Sequence, residues 1–211
     1  MPHLLTGKTG GIGGWLFRRR TLVPLPLALT VLLLPSTFER GPAALTAVGA
    51  ALVAAGEGLR LWGVRHIGVI SRTRSDRLGP LVASGPFALV RNPLYLGNIV
   101  LWAGFAVAAR LPWLAPLFVV ILALEYHAIV RWEEQLLAER LGEPYRIYLA
   151  HVPRWIPRVP SGGRLIPADL SITHGATAIS RPRHSWRETL YSERGTLLAI
   201  GVGFALLWLK A

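Results

Sequence analysis

Five apolar segments separated by polar stretches constrain this chain more than any other feature of its sequence. They cover residues 21–38, 42–63, 93–109, 112–130 and 196–209. Charged residues make up 16% of the chain, against about 25% in ordinary soluble domains, and the mean hydropathy is +0.44. The second segment is long enough to cross about 30 Å of hydrocarbon. The sequence therefore predicts an all-α, multi-pass membrane bundle of about five transmembrane helices.

The spacing of the segments predicts how the bundle is organised. The third and fourth segments are joined by the short link Arg110-Leu111-Pro112, so they are expected to form an antiparallel helical hairpin. The last run is short and can span with membrane thinning or tilt, or lie in the interface; spanning is favoured. We divide the chain into an N-terminal tail (1–20), a membrane domain (21–158), and a loop with a short final helix (159–211).

The placement of the positive charges argues for a membrane surface rather than nucleic acid, despite a net charge of +12. From Arg60 to Arg91 the chain has six Arg and one Asp between two apolar segments, as the positive-inside rule expects of a cytoplasmic loop. With Arg18–Arg20 also inside, every long polar segment falls on the cytoplasmic side. No aromatic-basic platform or recognition helix is present, so nucleic acid is not an expected partner.

The stretch from Gly85 to Gly97 combines a turn, a cation (Arg91) and a helix start (Asn92-Pro93) at the mouth of an apolar segment. Asn is a preferred N-cap, and Pro is tolerated at the first helical position because its missing N–H would be unpaired there. Free N–H groups at a helix start favour anions, and Arg91 adds a full positive charge. The stretch predicts the edge of an active site, with Tyr95 and Gly97 near the first helical turn.

A second group of polar and aromatic residues follows the hairpin. It comprises Glu133-Glu134, Leu137, Gly142, Tyr145, Tyr148, Val152-Pro153-Arg154 and Pro157. The fourth helix is expected to continue out of the membrane as an amphipathic helix, with Gly142 as its stop signal. Tyr145 and Tyr148 are three residues apart on a short helix and face the same way. Residues 159–190 are rich in Gly, Pro and Ser and are expected to form a surface loop.

The two motifs together resemble the isoprenylcysteine carboxyl methyltransferase family, within the integral-membrane methyltransferases that include phospholipid methyltransferases. The resemblance covers about residues 60–158. It implies an enzyme that methylates a lipid-linked substrate with S-adenosylmethionine, which is held at the cytoplasmic ends of the hairpin helices. The substrate would enter sideways from the bilayer. The family's first motif usually has His where this chain has Asn92, which cannot serve as a base or a cation.

The resemblance also suggests roles for individual residues in a transfer that depends mostly on positioning. Arg91 is the candidate to orient an acceptor carboxylate or to hold the carboxylate of the cofactor. Arg154 is the candidate to bind substrate or a lipid phosphate. Glu125 lies within an apolar segment, where an ionisable group is costly, and is expected to line the pocket. Glu57 is expected to pair with Arg60 or Arg131.

Cofactor binding is expected of residues from both motifs, namely Asn92, Tyr95, Gly97, Glu133, Glu134, Tyr145 and Tyr148. Glu133 and Glu134 would bind the ammonium or the ribose hydroxyls of the cofactor. Adjacent residues point about 100° apart on a helix, so only one of them is expected to face the pocket, and the spacing does not choose between them. Tyr145 and Tyr148 are expected to pack a lid. The structural alternatives are helix capping, interface packing and a solvated helix face.

Several functions remain open at this point. Methylation of a carboxylate is favoured; methylation of a phosphatidylethanolamine-type amine is the alternative, and there Glu125 would matter as a proton acceptor. A nicotinamide-dependent (NADPH) membrane reductase of related fold and a non-enzymatic scaffold are further alternatives. No metal site is expected, because the chain has no cysteine and its histidines lack ligand spacing. The expected partner is a lipid or lipidated molecule in the bilayer.

Overall fold

The computed structural model describes residues 11–37, 43–67, 81–158 and 184–210. The α-helices in these ranges are α1 (Ile12–Arg19), α2 (Pro24–Leu33), α3 (Ala43–Ile67), α4 (Pro93–Ala108), α5 (Leu114–Leu141), α6 (Glu143–His151) and α7 (Trp186–Lys210). A short 3-10 helix, Gly85–Ala88, precedes α4. No β-strand forms in the described ranges, which agrees with the all-α prediction.

Three helices are long and apolar enough to cross a membrane: α3, α5 and α7, with 25, 28 and 25 residues. The helices α2 and α4 are also apolar but have only 10 and 16 residues. At 1.5 Å per residue they extend about 15 and about 24 Å, short of the hydrocarbon thickness. The prediction of a membrane protein is supported by these three helices, and the count of five spans stays a prediction.

The predicted hairpin of α4 and α5 is present and turns within a few residues. Arg110 takes a left-handed conformation with φ of 62°. The amide of Leu111 donates to the carbonyl of Ala106 at 3.0 Å, and Leu111 itself is 1% exposed. Near the other end of the hairpin, the rings of Tyr95 and Tyr126 lie 4.7 Å apart. The hairpin therefore brings the start of α4 alongside the second half of α5.

Helices α3 and α4 pack closely along a row of glycines. A Cβ atom on Gly56 would lie 2.6 Å from the carbonyl oxygen of Gly97, and one on Gly104 would lie 2.7 Å from the amide of Val53. Neither position can accept a larger side chain without separating the two backbones. Gly49 and Gly56 therefore give α3 a close-packing face against α4.

Helix α5 continues beyond its apolar part to Leu141, and the predicted stop at Gly142 is confirmed. Gly142 has φ of 63°, a conformation that glycine adopts without steric cost. Helix α7 is longer than the predicted 196–209 run, since it begins at Trp186. Residues 1–10 of the predicted tail and 159–183 of the predicted loop lie outside the described residues, as do residues 68–80 of the arginine-rich stretch.

Candidate active site

A cavity of about 900 Å³ lies between the hairpin and helices α2, α3 and α7, which is within the usual size of small-molecule sites. Seven predicted site residues line it: Arg91, Asn92, Tyr95, Glu133, Glu134, Tyr145 and Tyr148. The rest of its wall is largely apolar. Helices α2 and α7 contribute, among others, Leu25, Val31, Ala199, Ile200 and Leu206. The cavity thus combines charged groups with a wall suited to hydrocarbon.

Glu134 lies between two arginines, and we call Arg91, Glu134 and Arg154 the Glu134 cluster. Arg91 donates from Nη1 to Oε1 at 2.8 Å. Arg154 donates from Nε to Oε1 at 3.0 Å and from Nη2 to Oε2 at 2.6 Å. Hydrogen bonding to Glu134 raises the pKa of Arg154 above its ordinary value, so the guanidinium remains charged. With two guanidinium groups and one carboxylate, the cluster carries a charge of +1.

Backbone contacts between the two motifs bring this cluster together. The amide of Arg91 donates to the carbonyl of Pro153 at 2.9 Å, and the side-chain amide of Asn92 donates to the carbonyl of Arg154 at 3.2 Å. Asn92 holds the predicted N-cap position of α4, but its side chain makes no capping hydrogen bond. The predicted N-cap position is therefore correct, but the expected side-chain cap is wrong, because the Asn92 side chain links the two motifs instead.

Glu133 and Glu134 both line the cavity, although only one was expected to face it. Glu134 extends to the two arginines, while Glu133 accepts a hydrogen bond from the Tyr95 hydroxyl at 3.1 Å. Arg20, the residue after α1, acts electrostatically on both Tyr95 and Glu133. The two adjacent carboxylates therefore have different partners, and each is held by groups from another part of the chain.

Tyr145 and Tyr148 form one wall of the cavity with their rings 5.8 Å apart. The Tyr148 hydroxyl donates to the carbonyl of Phe87 at 2.8 Å, which ties α6 to the 3-10 helix before α4. Burial raises the pKa of both phenols above its ordinary value, so both hydroxyls remain protonated. Both present ring faces, as the predicted lid role requires, and the Tyr148 hydroxyl already donates within the protein.

Three predicted site residues do not line the cavity. Gly97 packs against α3, where an added Cβ would lie 2.7 Å from the Gly56 carbonyl oxygen. Arg154 reaches the site through Glu134. Glu125 is 7% exposed, and its two carboxylate oxygens have no hydrogen-bond partner among the described residues. The expectation that Glu125 lines the pocket is not met, and its catalytic role stays a prediction that this placement does not support.

A second polar group lies at another part of the cavity, and we call it the Arg60 cluster. It consists of Glu57, Arg60, Asn98, Glu193 and Thr196. Arg60 donates from Nε to Glu57 at 3.0 Å, which is one of the two pairings predicted for Glu57. Its other nitrogen atoms donate to Asn98, Glu193 and Thr196. Four of the five members line the cavity, all except Glu57. One guanidinium and two carboxylates give this cluster a charge of −1.

Sequence analysis missed Glu193, Thr196 and Arg20 as parts of the site. Glu193 is 133 residues from Arg60, and only the fold brings them together. The available signal was an acidic residue just before the last apolar run. Arg20 was assigned to the positive-inside pattern together with Arg18 and Arg19. Nothing in the run of three arginines distinguishes the residue that turns into the cavity.

Residues 44–144 match the family model for phospholipid methyltransferases. The predicted resemblance to the integral-membrane methyltransferases is thereby confirmed. The matched stretch contains α3, α4 and α5, and with them Arg60, Arg91, Glu133 and Glu134. The match favours methyl transfer over the reductase and scaffold alternatives. Arg20, Arg154 and the whole of α7 lie outside it.

Two curated proteins are similar to part of the chain. The nickel-cobalt-cadmium resistance protein NccN of Alcaligenes xylosoxydans xylosoxydans is 32% identical over 100 residues, 47% of this chain and 44% of that protein. The cobalt-zinc-cadmium resistance protein CzcN of Cupriavidus metallidurans is 32% identical over 79 residues, 37% of this chain and 36% of that protein. The chain thus spans less than half the length of these relatives in either match. No solved structure matches it.

Proposed function

We propose that this protein transfers a methyl group from S-adenosylmethionine to the carboxylate of a lipid-linked acceptor at the cytoplasmic face of the membrane. The observation that carries the proposal is the cavity itself, where Arg91, just before α4, and the acidic side chains of α5 meet an apolar wall. Both relatives are named for metal resistance. We propose instead the chemistry of the matched family, because residues 44–144 supply most of the charged groups of the site.

The side chains present fit the chemistry of this cofactor. Its amino-acid portion is a zwitterion, and the cavity offers both carboxylates and guanidinium groups. The Nε atom of Arg91 is buried without a hydrogen-bond partner among the described residues, which fits an anionic group in the cavity. Tyr145 and Tyr148 offer ring faces to a base or ribose, and Tyr145 also offers a hydroxyl donor. When bound, the cofactor supplies a methyl group on a positively charged sulfur that a nucleophile can attack.

The Glu134 cluster supports a carboxylate acceptor. Its charge of +1 attracts an anion, and the donor geometry of a guanidinium suits a carboxylate. A carboxylate is ionised at neutral pH and needs no general base, so orientation is the main task left to the protein. Arg91 would orient the acceptor directly, and Arg154 would hold Glu134 so that Arg91 remains in place. The hydrocarbon of the acceptor would lie along the wall formed by α2 and α7.

A phospholipid amine is the second candidate acceptor, and the Arg60 cluster favours it. Glu57 and Glu193 surround a single guanidinium whose donors serve Glu57, Asn98, Glu193 and Thr196. A buried cluster of charge −1 attracts an ammonium group rather than a carboxylate. Such an acceptor would have to lose a proton before attack, and a carboxylate near it could take that proton.

A cytoplasmic position of the site is supported by the arginines around it. Arg20 and Arg91 line the cavity, and Arg154 pairs with Glu134 beside it. The exposed Arg18 and Arg19 are at the same end of α1 as Arg20. Positive charge next to apolar helices is typical of the cytoplasmic side. An orientation assay, for example a reporter fused after α7, tests this part of the proposal.

The first experiment is the binding of S-adenosylmethionine and S-adenosylhomocysteine to detergent-purified protein. A ligand that binds only the folded state stabilises it by about 2.7 kcal/mol at a hundred times its Kd. We expect a clear rise in melting temperature with both ligands. Folded protein that shows no response at saturating ligand would contradict the proposal.

The stability of the methylated product in alkali distinguishes a carboxylate acceptor from an amine acceptor. Membrane lipids are incubated with the protein and S-adenosylmethionine labelled in the methyl group. Alkali releases the label of a methyl ester as volatile methanol, whereas an N-methyl group stays with the lipid. We expect volatile label, and label that survives alkali would favour the amine acceptor.

A further inference from the structure

Helix α1 is fixed against α5 at the end of the cavity that contains Glu133. A Cβ atom on Gly13 would lie 2.6 Å from the Cβ of Trp132, so the helices are in close contact there. Four residues later, the Phe17 ring packs 5.1 Å from the ring of Trp132 and is only 5% exposed. The Arg20 guanidinium lies 4.2 Å above the Phe17 ring. This chain of contacts directs Arg20 into the cavity.

The three consecutive arginines after Phe17 have different surroundings. Arg20 lines the cavity, whereas Arg18 and Arg19 do not. Both of those neighbours are exposed, and the Arg19 guanidinium lies 4.9 Å from the ring of Trp15. One arginine of the run therefore serves the site, and the other two face outward.

The two adjacent glutamates differ in their remaining capacity to accept hydrogen bonds. Glu134 accepts three hydrogen bonds from two arginines. Glu133 is held by the Tyr95 hydroxyl and by the charge of Arg20. A carboxylate has about four acceptor positions and a guanidinium has five N–H donors. Glu133 therefore has capacity to accept further hydrogen bonds from a ligand, and the Arg20 guanidinium lines the same cavity.

We propose that Arg20 binds the carboxylate of the cofactor's amino-acid portion while Glu133 binds its ammonium group. This inference rests on the proposed function, because it assigns an additional ligand to the same cofactor. An amino acid carries its two charges on groups joined by one carbon, and Arg20 and Glu133 offer the complementary charges within the same cavity, where the charge of Arg20 acts on Glu133. The assignment leaves Arg91, whose Nε atom has no hydrogen-bond partner among the described residues, to the acceptor.

The test compares two ligands that differ by the amino-acid portion. S-adenosylhomocysteine carries that portion, and 5′-deoxy-5′-methylthioadenosine lacks it. Dissociation constants are measured for the full chain in detergent, for Arg20→Gln and for Arg20→Lys. Arg18→Gln and Arg19→Gln are the matched controls, because they remove the same charge from exposed positions of the same run. Gln removes the charge and the guanidinium that lies over the Phe17 ring but keeps a polar side chain at this position.

We expect Arg20→Gln to weaken S-adenosylhomocysteine binding about ten- to a hundredfold, the effect of losing a hydrogen bond between charged groups. Its affinity for methylthioadenosine should stay within about twofold of the unchanged protein. Arg20→Lys should restore part of the loss, and the two controls should bind both ligands normally.

Three results would overturn the assignment. Unchanged S-adenosylhomocysteine affinity in Arg20→Gln would show that Arg20 does not bind the cofactor. An equal loss for both ligands would show that Arg20 only supports the shape of the cavity. An equal loss in Arg18→Gln would show a general effect of charge. A chain that binds neither ligand before any substitution would instead overturn the proposed function, so the two failures are distinguishable.

Discussion

The Glu134 cluster and the Arg60 cluster are opposite in charge and in the way they are assembled. The first has two arginines around one glutamate, and the second has two glutamates around one arginine. Arg91 and Arg154 belong to motifs that pair through hydrogen bonds to backbone carbonyls, so the Glu134 cluster is specified by two short stretches. The Arg60 cluster needs α3, α4 and α7 to pack before it exists.

The two clusters are nevertheless connected through aromatic residues of the hairpin. Asn98 receives a hydrogen bond from Arg60 and donates at 3.4 Å to the Tyr126 hydroxyl, and the Tyr126 ring lies 4.7 Å from that of Tyr95. Tyr95 in turn donates to Glu133. The difference suggests separate roles for the two clusters. The Glu134 cluster, built from the two motifs, would hold the reactants, and the Arg60 cluster would hold α7 and the apolar wall in place.

Arg91→Ala tests the role of the Glu134 cluster in holding the reactants and should have the largest effect on activity. Removing the guanidinium leaves the acceptor without its orienting cation, and loss of positioning costs about a hundredfold in rate or more. Transfer of labelled methyl from S-adenosylmethionine to membrane lipids is the measurement. The matched control is Arg140→Ala, at an exposed arginine of α5. Full activity in a folded Arg91→Ala protein would refute the site assignment.

Glu134→Ala should have the largest effect on stability. It leaves two guanidinium groups without the carboxylate between them, and breaking a buried ion pair costs about 3–5 kcal/mol. Because the Arg154 side chain is 32% exposed, we expect the lower end of that range. The melting temperature in detergent is the measurement. The exposed pair of Glu143 and Arg146, at 3.6 Å, supplies the control: Glu143→Ala should melt normally, and two equal shifts would contradict the prediction.

Glu193→Gln tests the role of the Arg60 cluster in holding α7 in place. It keeps the shape of a 1% exposed side chain but removes the charge that Arg60 binds, so we expect a loss of about 1–3 kcal/mol in stability. Affinity for S-adenosylhomocysteine should stay within about twofold, measured by titration below the melting range. A large loss of that affinity with unchanged melting would reverse the roles assigned to the two clusters.

Gly97→Ala separates helix packing from the predicted contact with the cofactor. The added methyl group would meet the Gly56 carbonyl oxygen and Cγ of Arg60 within 2.8 Å, and such overpacking costs about 1–3 kcal/mol. We expect a lower melting temperature. Gly58→Ala is the control, because a Cβ there meets nothing within 4 Å. Normal melting combined with weaker S-adenosylhomocysteine binding would support the contact predicted from the sequence.

The parts of the fold that were predictable are those with a local chemical signature. Long apolar runs indicated the membrane helices, three residues between two runs indicated the hairpin, and Gly142 marked the end of α5 because few other residues tolerate its positive φ. The length of α7 was not predictable from hydropathy. Its first two turns carry charged residues. They are helical because Ser185 and Glu188 exchange hydrogen bonds that cap the start of the helix, and because Glu193 is buried against Arg60.

The candidate site was predictable where both partners belong to a motif. Arg91 and Tyr95 line the cavity, and so do both Glu133 and Glu134, of which only one was expected to face it. Arg20 was not predictable, since its direction depends on the packing of Phe17 against Trp132. Helical spacing also misjudged the two glutamates, because long side chains can reach different partners from neighbouring positions. Position along a helix constrains the Cβ direction but not the location of a carboxylate.

Tyr95→Phe should give the smallest effect and is the most specific probe of the connection between the two clusters. It removes one hydroxyl that donates to Glu133 at 3.1 Å and leaves the ring against Tyr126. Loss of one such hydrogen bond to a carboxylate costs about 1.5–3 kcal/mol at most, and Arg20 can compensate for part of it. We therefore expect S-adenosylhomocysteine affinity to fall only a few-fold, with methylthioadenosine binding unchanged.

Combined with Arg20→Gln, the loss of S-adenosylhomocysteine affinity should exceed the product of the single losses, because each group holds Glu133 when the other is absent. Independent effects in this double-mutant cycle would show that Tyr95 and Arg20 act on different parts of the ligand.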